Sequence, residues 1–495
     1  MKPNKLIRIV ILLFIILHYA SCTEEKLGAL QNGMINGRVL DERTQEPLVN
    51  AEITTSPAKD TVTTDFMGYF ELGNLEQGEY IIIARYPGYY TTGKEVFVSP
   101  NSTSSVLINL PRTGQGNTFD FSEDFTPTPN QNQVSINPVF SWGLNYYPKS
   151  VKYTLEIFET GSPQPFKSLE NLKDTFALVT GLKFGTSYQW HVRAESGNES
   201  ITSNMRSFSS VNFPANPVLY AKRVDGVSQI FVTDIDGSSH NQITHNNFHS
   251  WRPIVNQQKD RIAFLSTKEI NPQLYTMTIN GENMIKVTNI PTGGYYNKGV
   301  GFSWLPDGER LVFSSYNRLY RINKDGTGLS HITTIDAQRH FREVDWSPEN
   351  NKIVALTVGV NRYDARIVIM NTNGSGMQEI VSELPGALEN PTFSYDGQDI
   401  IYTYDVSGIQ FPDGRQIDAR IFRYSIEAME TTDLSQHKPA GTNDLVPRFI
   451  NNNQIVFYNA RNQVGSRRNL YIMPAGTTSA GQRILLAEDV EMPDW

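Results

Sequence analysis

Between residues 216 and 495, one pattern of apolar and polar positions recurs six times. In most copies, apolar and polar residues alternate, the chain turns at Asp-Gly or Asn-Gly, and a second short strand follows, which is the pattern of a β-hairpin. Five copies align without a gap over sixteen residues: 229–244, 273–288, 318–333, 366–381 and 420–435. A sixth, looser copy begins at Asn469, and successive copies start 44 to 54 residues apart. This period, with several short strands per copy, predicts a β-propeller.

A second element, read as a strand, a polar turn and another strand, precedes each hairpin. Its copies cover residues 253–264, 302–313, 344–355, 391–402 and 447–457. Four strands make a blade, but in the first blade only the later strands are present. The earliest of these covers residues 218–223. Residues 492–495 match the opening of the missing element. The sequence therefore predicts a six-bladed ring closed by strands from both ends of the repeat region, which leaves no exposed sheet edge.

Two blade openings carry a family resemblance. Trp304-Leu-Pro-Asp-Gly and Trp346-Ser-Pro-Glu, with Asp-Gly turns and Ile-Thr endings, resemble the propeller repeats of TolB and its relatives. The resemblance covers roughly residues 216–495 and implies the fold. It implies no single activity, because such propellers occur in periplasmic adaptors, in peptidase accessory domains and in a few lyases.

Two smaller modules precede the predicted propeller. Residues 34–111 alternate short strands with Gly, Pro and Asp turns, and motifs such as Gly37-Arg-Val-Leu-Asp and Gly78-Glu-Tyr resemble the carboxypeptidase regulatory-like domain. That resemblance implies a non-catalytic β-sandwich. After a linker at 112–133, residues 134–214 resemble a fibronectin type III domain, which implies a corner role for Tyr188 and core positions for Trp142 and Trp190. The predicted fold class is therefore all-β, with two small sandwiches followed by a six-bladed propeller.

The start of the chain predicts a secreted, lipid-anchored protein. Lys2, Lys5 and Arg8 precede an apolar run at 9–17, which is too short to span a bilayer, and Cys22 follows Ala-Ser. Residues 1–21 resemble a bacterial lipoprotein signal, and this resemblance makes Cys22 the lipidated first residue of the mature chain. The acidic tether at 22–33 resembles the Bacteroidota signal for export to the outer face of the outer membrane; an ordinary solvated linker is the alternative.

Charge and motifs narrow the possible functions. The net charge of -8 and the lack of a basic stretch argue against a nucleic-acid partner. The sequence has no nucleophile elbow, zinc-protease motif or phosphate-binding loop. His245 and His249 have the spacing of helical metal ligands, yet they fall in a loop between predicted strands. We therefore expect no cofactor, no metal site and no catalytic residue.

The repeat alignment selects one loop position per blade as the candidate binding surface. These positions lie six residues before the first-strand aromatic residue or its equivalent: His249, Lys298, His340, Ala387, Asn443 and Asp489. Five aromatic residues lie close by: Phe248, Trp251, Tyr295, Tyr296 and Phe341. Equivalent loops of a propeller lie on one face near its central channel, where ligands commonly bind. The alternative is that at least half of these aromatic side chains pack between the blades.

Three functions remain open at this point. The leading hypothesis is a non-catalytic outer-membrane lipoprotein whose propeller face docks on another envelope protein or complex. The second is glycan binding in a nutrient-uptake system at the cell surface. The third is a propeller lyase or hydrolase that uses His249, His340 and Lys298.

Overall fold

The computed structural model describes residues 32–113, 119–145, 148, 150–269, 271–297, 301–451, 453–476 and 482–490. The predicted lipidation site Cys22, the candidate Lys298 and the predicted closing strand at 492–495 lie outside these residues. Within them the fold is all-β, as predicted. None of the described residues belongs to a helix long and apolar enough to cross a bilayer. Contacts divide the chain into two units, one comprising residues 1–130, 139–178 and 188–207, and the other 131–138, 179–187 and 208–495.

The first module is a sandwich of two small sheets, with strand orders β4-β1-β7 and β3-β2-β5-β6. Alternate residues of each strand face the core, where Ile35, Ile53 and Ile82 are fully buried. The strands are β1 Gly33–Asp41, β2 Glu52–Ser56, β3 Val62–Thr63, β4 Tyr69–Leu75, β5 Gly78–Arg85, β6 Thr92–Val98 and β7 Thr103–Leu110.

The second module has a three-stranded sheet, β13-β10-β8, and a six-stranded sheet, β12-β11-β14-β16-β9 with β15 on β14. Trp142, Tyr188 and Trp190 are buried, which confirms that the two tryptophans occupy the core. The strands are β8 Phe121–Thr126, β9 Gln131–Val134, β10 Val139–Leu144, β11 Lys152–Glu159, β12 Lys167–Leu172, β13 Phe176–Leu178, β14 Ser187–Ser196, β15 Glu199–Thr202 and β16 Arg206–Ser210.

The repeat region forms six successive antiparallel sheets, which are the blades. Blade 1 contains β17 Val218–Val224, β18 Val227–Thr233 and β19 His240–Gln242; blade 2 contains β20 Ser250–Val255, β21 Arg261–Ser266, β22 Gln273–Thr278 and β23 Ile285–Lys286; blade 3 contains β24 Phe302–Trp304, β25 Arg310–Ser315, β26 Arg318–Asn323 and β27 Ser330–Thr334. Blade 4 contains β28 His340–Trp346, β29 Lys352–Val358, β30 Ala365–Asn371 and β31 Gln378–Val381; blade 5 contains β32 Leu388–Phe393, β33 Asp399–Asp405, β34 Ala419–Ser425 and β35 Glu430–Asp433; blade 6 contains β36 Thr442–Asn451, β37 Gln454–Arg461, β38 Arg468–Pro474 and β39 Ile484–Ala487. Each sixteen-residue copy thus contributes the two later strands of a blade.

Strand register supports the alignment of the blade openings. Trp304 pairs with Leu311, and Trp346 pairs with Ile353, seven residues further on in both blades.

Buried clusters then join each blade to the next. Val218 of blade 1 and Leu470 of blade 6 share one cluster, so the first and last blades pack together and close the ring.

In each of two repeats, a buried side-chain hydrogen bond joins the last residue of the sixteen-residue copy to the first. In blade 2 the Thr288 hydroxyl donates to Gln273 Oε1 at 2.7 Å and accepts from the Leu274 backbone N–H at 3.1 Å. Thr244 and Gln229 repeat the side-chain bond in blade 1, again at 2.7 Å. Because the first and last residues of a repeat satisfy each other, the hairpin can be buried against the next blade without orphaned polar groups.

Four first strands carry a β-bulge. In β20, β28, β32 and β36, the pairing with the second strand shifts by one residue. Arg252, Asn390 and Val446 lie at these shifts with positive φ angles of 49°, 58° and 50°. A bulge turns a side chain away from the regular alternation, and bulges are frequent beside functional sites. Here the bulged segments line a central cavity.

Candidate functional site

We define the upper face of the propeller by the loops that lead into the first strands and by those that join the second and third strands. The lower face carries the remaining turns. His249 immediately precedes β20, His340 begins β28, Ala387 immediately precedes β32, and Asn443 is the second residue of β36. The alignment therefore selected equivalent positions on the upper face. Whether these positions bind a ligand stays a prediction.

His340 is held by its neighbours in blade 3. Its Nδ1 accepts a hydrogen bond from the Tyr295 backbone N–H at 2.8 Å, and its ring stacks on the Tyr295 ring at 3.8 Å. Burial lowers the pKa of His340 below its ordinary value. The accepting nitrogen carries no proton, so this hydrogen bond requires the neutral ring.

Acidification should therefore loosen the contact between His340 and Tyr295. The pKa of His340 is lower in the folded than in the unfolded chain, so its contribution to stability is complete above the unfolded pKa of about 6.5 and is lost as the pH falls toward the folded value. We expect the wild type to lose more thermal stability between pH 8 and pH 5 than His340→Gln, which cannot titrate there. Scanning calorimetry checks this, and equal losses in the two proteins would contradict it.

His249 has a comparable structural role in blade 1. Its Nδ1 lies 3.0 Å from the Ser228 hydroxyl and accepts from the Ser228 backbone N–H at 3.2 Å. The His249 ring thus holds the backbone at the start of β18, and the His340 ring holds the backbone of the loop between β23 and β24. These bonds give no support to a catalytic role for either histidine.

Three of the predicted residues are buried. Phe341 is completely buried between blades 3 and 4, because β28 turns it into the inter-blade core, and Trp251 is 1% exposed in a core cluster. The prediction of an exposed binding side chain is therefore wrong for these two aromatic residues. Asn443 accepts from the Ala419 backbone N–H at 2.9 Å and donates to the Gln416 carbonyl at 2.8 Å. It also lines the central cavity described below, so its contact with a ligand stays a prediction.

The remaining predicted positions lie nearer the solvent. Tyr296 is exposed, but Arg362 lies over its ring at 4.8 Å from the centroid, and its hydroxyl donates to the Val360 carbonyl at 2.7 Å. Phe248 is half-buried, and the Asp489 carboxylate lies 3.9 Å from Arg467 on the rim. The aromatic residues are therefore chiefly loop supports.

The upper face opens into a central cavity of about 800 Å³. Among the described residues that line it are three carboxylates, Glu343, Glu389 and Asp413, and eight arginines: Arg223, Arg252, Arg342, Arg362, Arg415, Arg448, Arg461 and Arg468. The described lining thus has a surplus of five positive charges, whereas the whole chain has a net charge of -8. A strongly positive cavity in an acidic protein indicates recognition of an anion.

Two of the three carboxylates are committed to internal partners. Glu389 Oε1 accepts from Arg342 at 2.7 Å, while Glu343 Oε1 lies 3.4 Å from the Arg342 Nε. Asn390 donates to Glu343 Oε2 at 2.9 Å. Burial raises the pKa of Glu343, although Arg342 opposes that shift. This network fixes one wall of the cavity in place.

Arg252 and Arg448 both line this cavity, from the first strands of blades 2 and 6. Burial lowers the pKa of Arg252 to about 9; the charge of Arg448 acts in the same direction, and the charge of Glu343 opposes it. The buried Arg252 Nε has no hydrogen-bond acceptor among the described residues. An anion bound beside Arg252 would supply that acceptor and offset the repulsion from Arg448.

One long loop narrows the mouth of this cavity. Residues 406–418 join β33 to β34, and buried Asp405 accepts the backbone N–H groups of Ile417 and Asp418 at 2.9 and 3.1 Å. The loop also accepts a hydrogen bond from the Tyr363 hydroxyl to the Phe411 carbonyl at 2.8 Å. Because it is bonded at its base and its side, it forms a fixed rim.

The cavity was not predicted from the sequence, although the sequence contains a signal for it. Arg448 lies inside a run predicted to be a buried first strand, and Arg252 and Arg342 come one and two residues before such runs, where charged residues are rare unless paired. Several cations at nearby positions of different repeats therefore indicate a charged channel. The choice of a single position six residues before the aromatic residue passed over them.

A second cavity of about 500 Å³ lies toward the lower face. Its lining is rich in aromatic residues and prolines, including Trp304, Pro306, Trp346 and Pro348. Arg448 borders both cavities, so they follow one another along the central axis. In the described part of the chain, no group of three or more His, Cys, Asp or Glu residues has the geometry to hold a metal ion.

Comparison with known proteins gives a partial match by sequence. Residues 35–117 match the CarboxypepD_reg-like domain family, which supports the assignment of the first module. The chain is also similar to dipeptidyl-peptidase 5 from Porphyromonas endodontalis, with 27% identity over 116 residues. That match covers 21% of this chain and only 16% of the relative, so the chain spans a small part of the curated relative's length.

Two solved structures are similar to part of this chain. TolB from Acinetobacter baumannii has a TM-score of 0.43 and 14% identity, covering 61% of this chain and 78% of TolB. An oligogalacturonate lyase from Vibrio parahaemolyticus has a TM-score of 0.36 and 10% identity, covering 56% and 73% respectively. At this level the similarity says nothing about activity.

Proposed function

We propose that this chain is a non-catalytic lipoprotein of the outer membrane whose propeller docks on another envelope protein through the upper face. One observation carries the proposal: five exposed apolar side chains lie in upper-face loops of blades 3 to 6, on the face into which the arginine-lined cavity opens. They are Tyr296, Tyr316, Val360, Ile409 and Val464. A charged centre with an apolar, solvent-exposed surround supplies both orientation and buried area to a partner.

The lower face provides a comparison within the same ring. It also exposes apolar residues, among them Leu329, Met377 and Met429, but these lie at separate hairpin turns. The cavity beneath that face is lined mainly by apolar and aromatic side chains. The proposed partner therefore has an acidic patch that fits the upper face.

The other parts of the chain fit the same proposal. Cys22, outside the described residues, supplies the membrane anchor. The first sandwich and a fibronectin type III-like second sandwich act as spacers without chemistry of their own. In this proposal His249 and His340 take part in no reaction; they accept the backbone N–H groups of Ser228 and Tyr295 respectively.

Site-specific photocrosslinking in the native envelope tests the docking face. A photoreactive residue at Val464, which is 81% exposed, should give a reproducible adduct of discrete mass, as should one at Ile409. The matched position on the lower face is Met429, which is 77% exposed and should give none. Cys22→Ser, which removes the proposed anchor, should abolish the adduct. Equal adducts from the two faces, or none from either, would refute the proposed docking.

A further inference from the structure

The eight arginines of the upper cavity come from different blades and from several loops. Arg252 lies in β20, Arg342 in β28 and Arg448 in β36, while Arg362 and Arg415 belong to loops between strands. Their convergence is a property of the folded ring, because these residues are separated by up to about two hundred positions in sequence. Such convergence of like charges destabilises the empty protein.

Backbone geometry adds a second observation at the same place. The bulge in β20 gives Arg252 a φ of 49°, a conformation that non-glycine residues seldom adopt. Such strain persists where surrounding structure enforces it, and it is concentrated at functional sites. In this strand the extra residue brings the Arg252 guanidinium to the wall of the cavity.

The cavity is also shaped for a small ligand. Its volume of about 800 Å³ lies within the range of roughly 300–1,000 Å³ that is usual for small-molecule sites. Loop 406–418 narrows the mouth, and its Gly414 lies so close to Arg362 that an added Cβ would collide with the guanidinium.

We propose that the cavity binds a small, multiply charged anion bearing at least two carboxylate or phosphate groups. Arg252 and Arg448 hold one anionic group between them, and the arginines of the rim hold the other. Guanidinium groups suit this role because they bind carboxylate and phosphate oxygens through paired N–H donors. Arg342 stays with Glu343 and Glu389 and positions the wall. This site uses the same arginines as the proposed docking face, but its test measures binding of small anions to the purified chain, so either proposal can fail without the other.

Isothermal titration of the full mature chain provides the test, with citrate, inorganic pyrophosphate and a tetraglutamate peptide as separate probes. Citrate or pyrophosphate should bind at one site per chain and raise the melting temperature above that in sodium chloride of matched ionic strength. Arg252→Gln and Arg448→Gln should each weaken that binding by about 30-fold or more. Arg366→Gln, which removes an exposed arginine paired with Glu379 on the outer strands, should change it by less than about twofold.

Folding of the variants is checked by the melting temperature without ligand. Removing one of two crowded cations should leave that temperature unchanged or raise it at low salt, which a merely structural arginine would not do. Failure of citrate and pyrophosphate to bind would overturn the assignment, and so would binding of the peptide alone. Equal weakening by Arg252→Gln and Arg366→Gln would overturn it as well, because the effect would then be one of net charge.

Discussion

Asp444→Ala should lower the melting temperature of the propeller by roughly 6–20 °C, because breaking a buried ion pair costs about 3–5 kcal/mol. Asp444 is fully buried in β36, and both its oxygens accept from Arg483, at 2.9 and 2.6 Å. Ser435 also donates to it at 2.6 Å, and Asn459 donates at 2.8 Å. The substitution leaves a buried guanidinium and two polar side chains without their acceptor.

Scanning calorimetry with two companion variants separates the causes. Asp444→Ala combined with Arg483→Met should recover part of the lost stability, because the second change removes the orphaned charge. Glu379→Ala removes an exposed partner of Arg366 and should cost less than about 1 kcal/mol. A melting temperature for Asp444→Ala within a degree of the wild type would show that this network contributes little.

The architecture of the ring could be predicted from local patterns, because a propeller repeats one register. Trp304 and Phe393 each pair with the residue seven positions later, so aligning the repeats placed both in first strands before any contact was known. The same alignment placed His340 and Asn443 at the start of first strands on one face. These relations depend on spacing along the chain, which sequence shows directly.

The cavity could not be predicted in the same way. Whether Arg252 faces the channel or a neighbouring blade depends on a bulge, and one inserted residue reverses the alternation of a strand. Phe341 shows the same limit, since the spacing that placed it beside the face did not reveal that it points into the core between blades. Side-chain direction at the ends of first strands is set by packing between blades. This packing involves residues of two repeats, so the pattern within a single repeat does not show it.

Trp190→Ala should be the most damaging single substitution in the second sandwich, with a cost of about 3–5 kcal/mol. The resemblance of this module to a fibronectin type III domain implied that Trp190 is a core residue, and it is fully buried in β14. Its ring makes edge-to-face contacts with Phe140, at 4.8 Å between centroids, and with Phe125, at 5.7 Å. Truncation removes both contacts and leaves a cavity that the surrounding strands cannot fill.

A graded series distinguishes packing from a specific role of the indole. The buried Trp190 Nε1 has no hydrogen-bond acceptor among the described residues, so Trp190→Phe loses volume but removes an unsatisfied donor. Trp190→Phe should therefore cost much less than Trp190→Ala, and Leu178→Ala, at a position 54% exposed, should cost less still. Calorimetric melting temperatures rank the three variants by their loss of stability. An equal loss for Trp190→Phe and Trp190→Ala would mean that the indole nitrogen is held by a polar partner. The expected order would instead assign the stability of this module to the interlocking of Trp190 with the two phenylalanine rings.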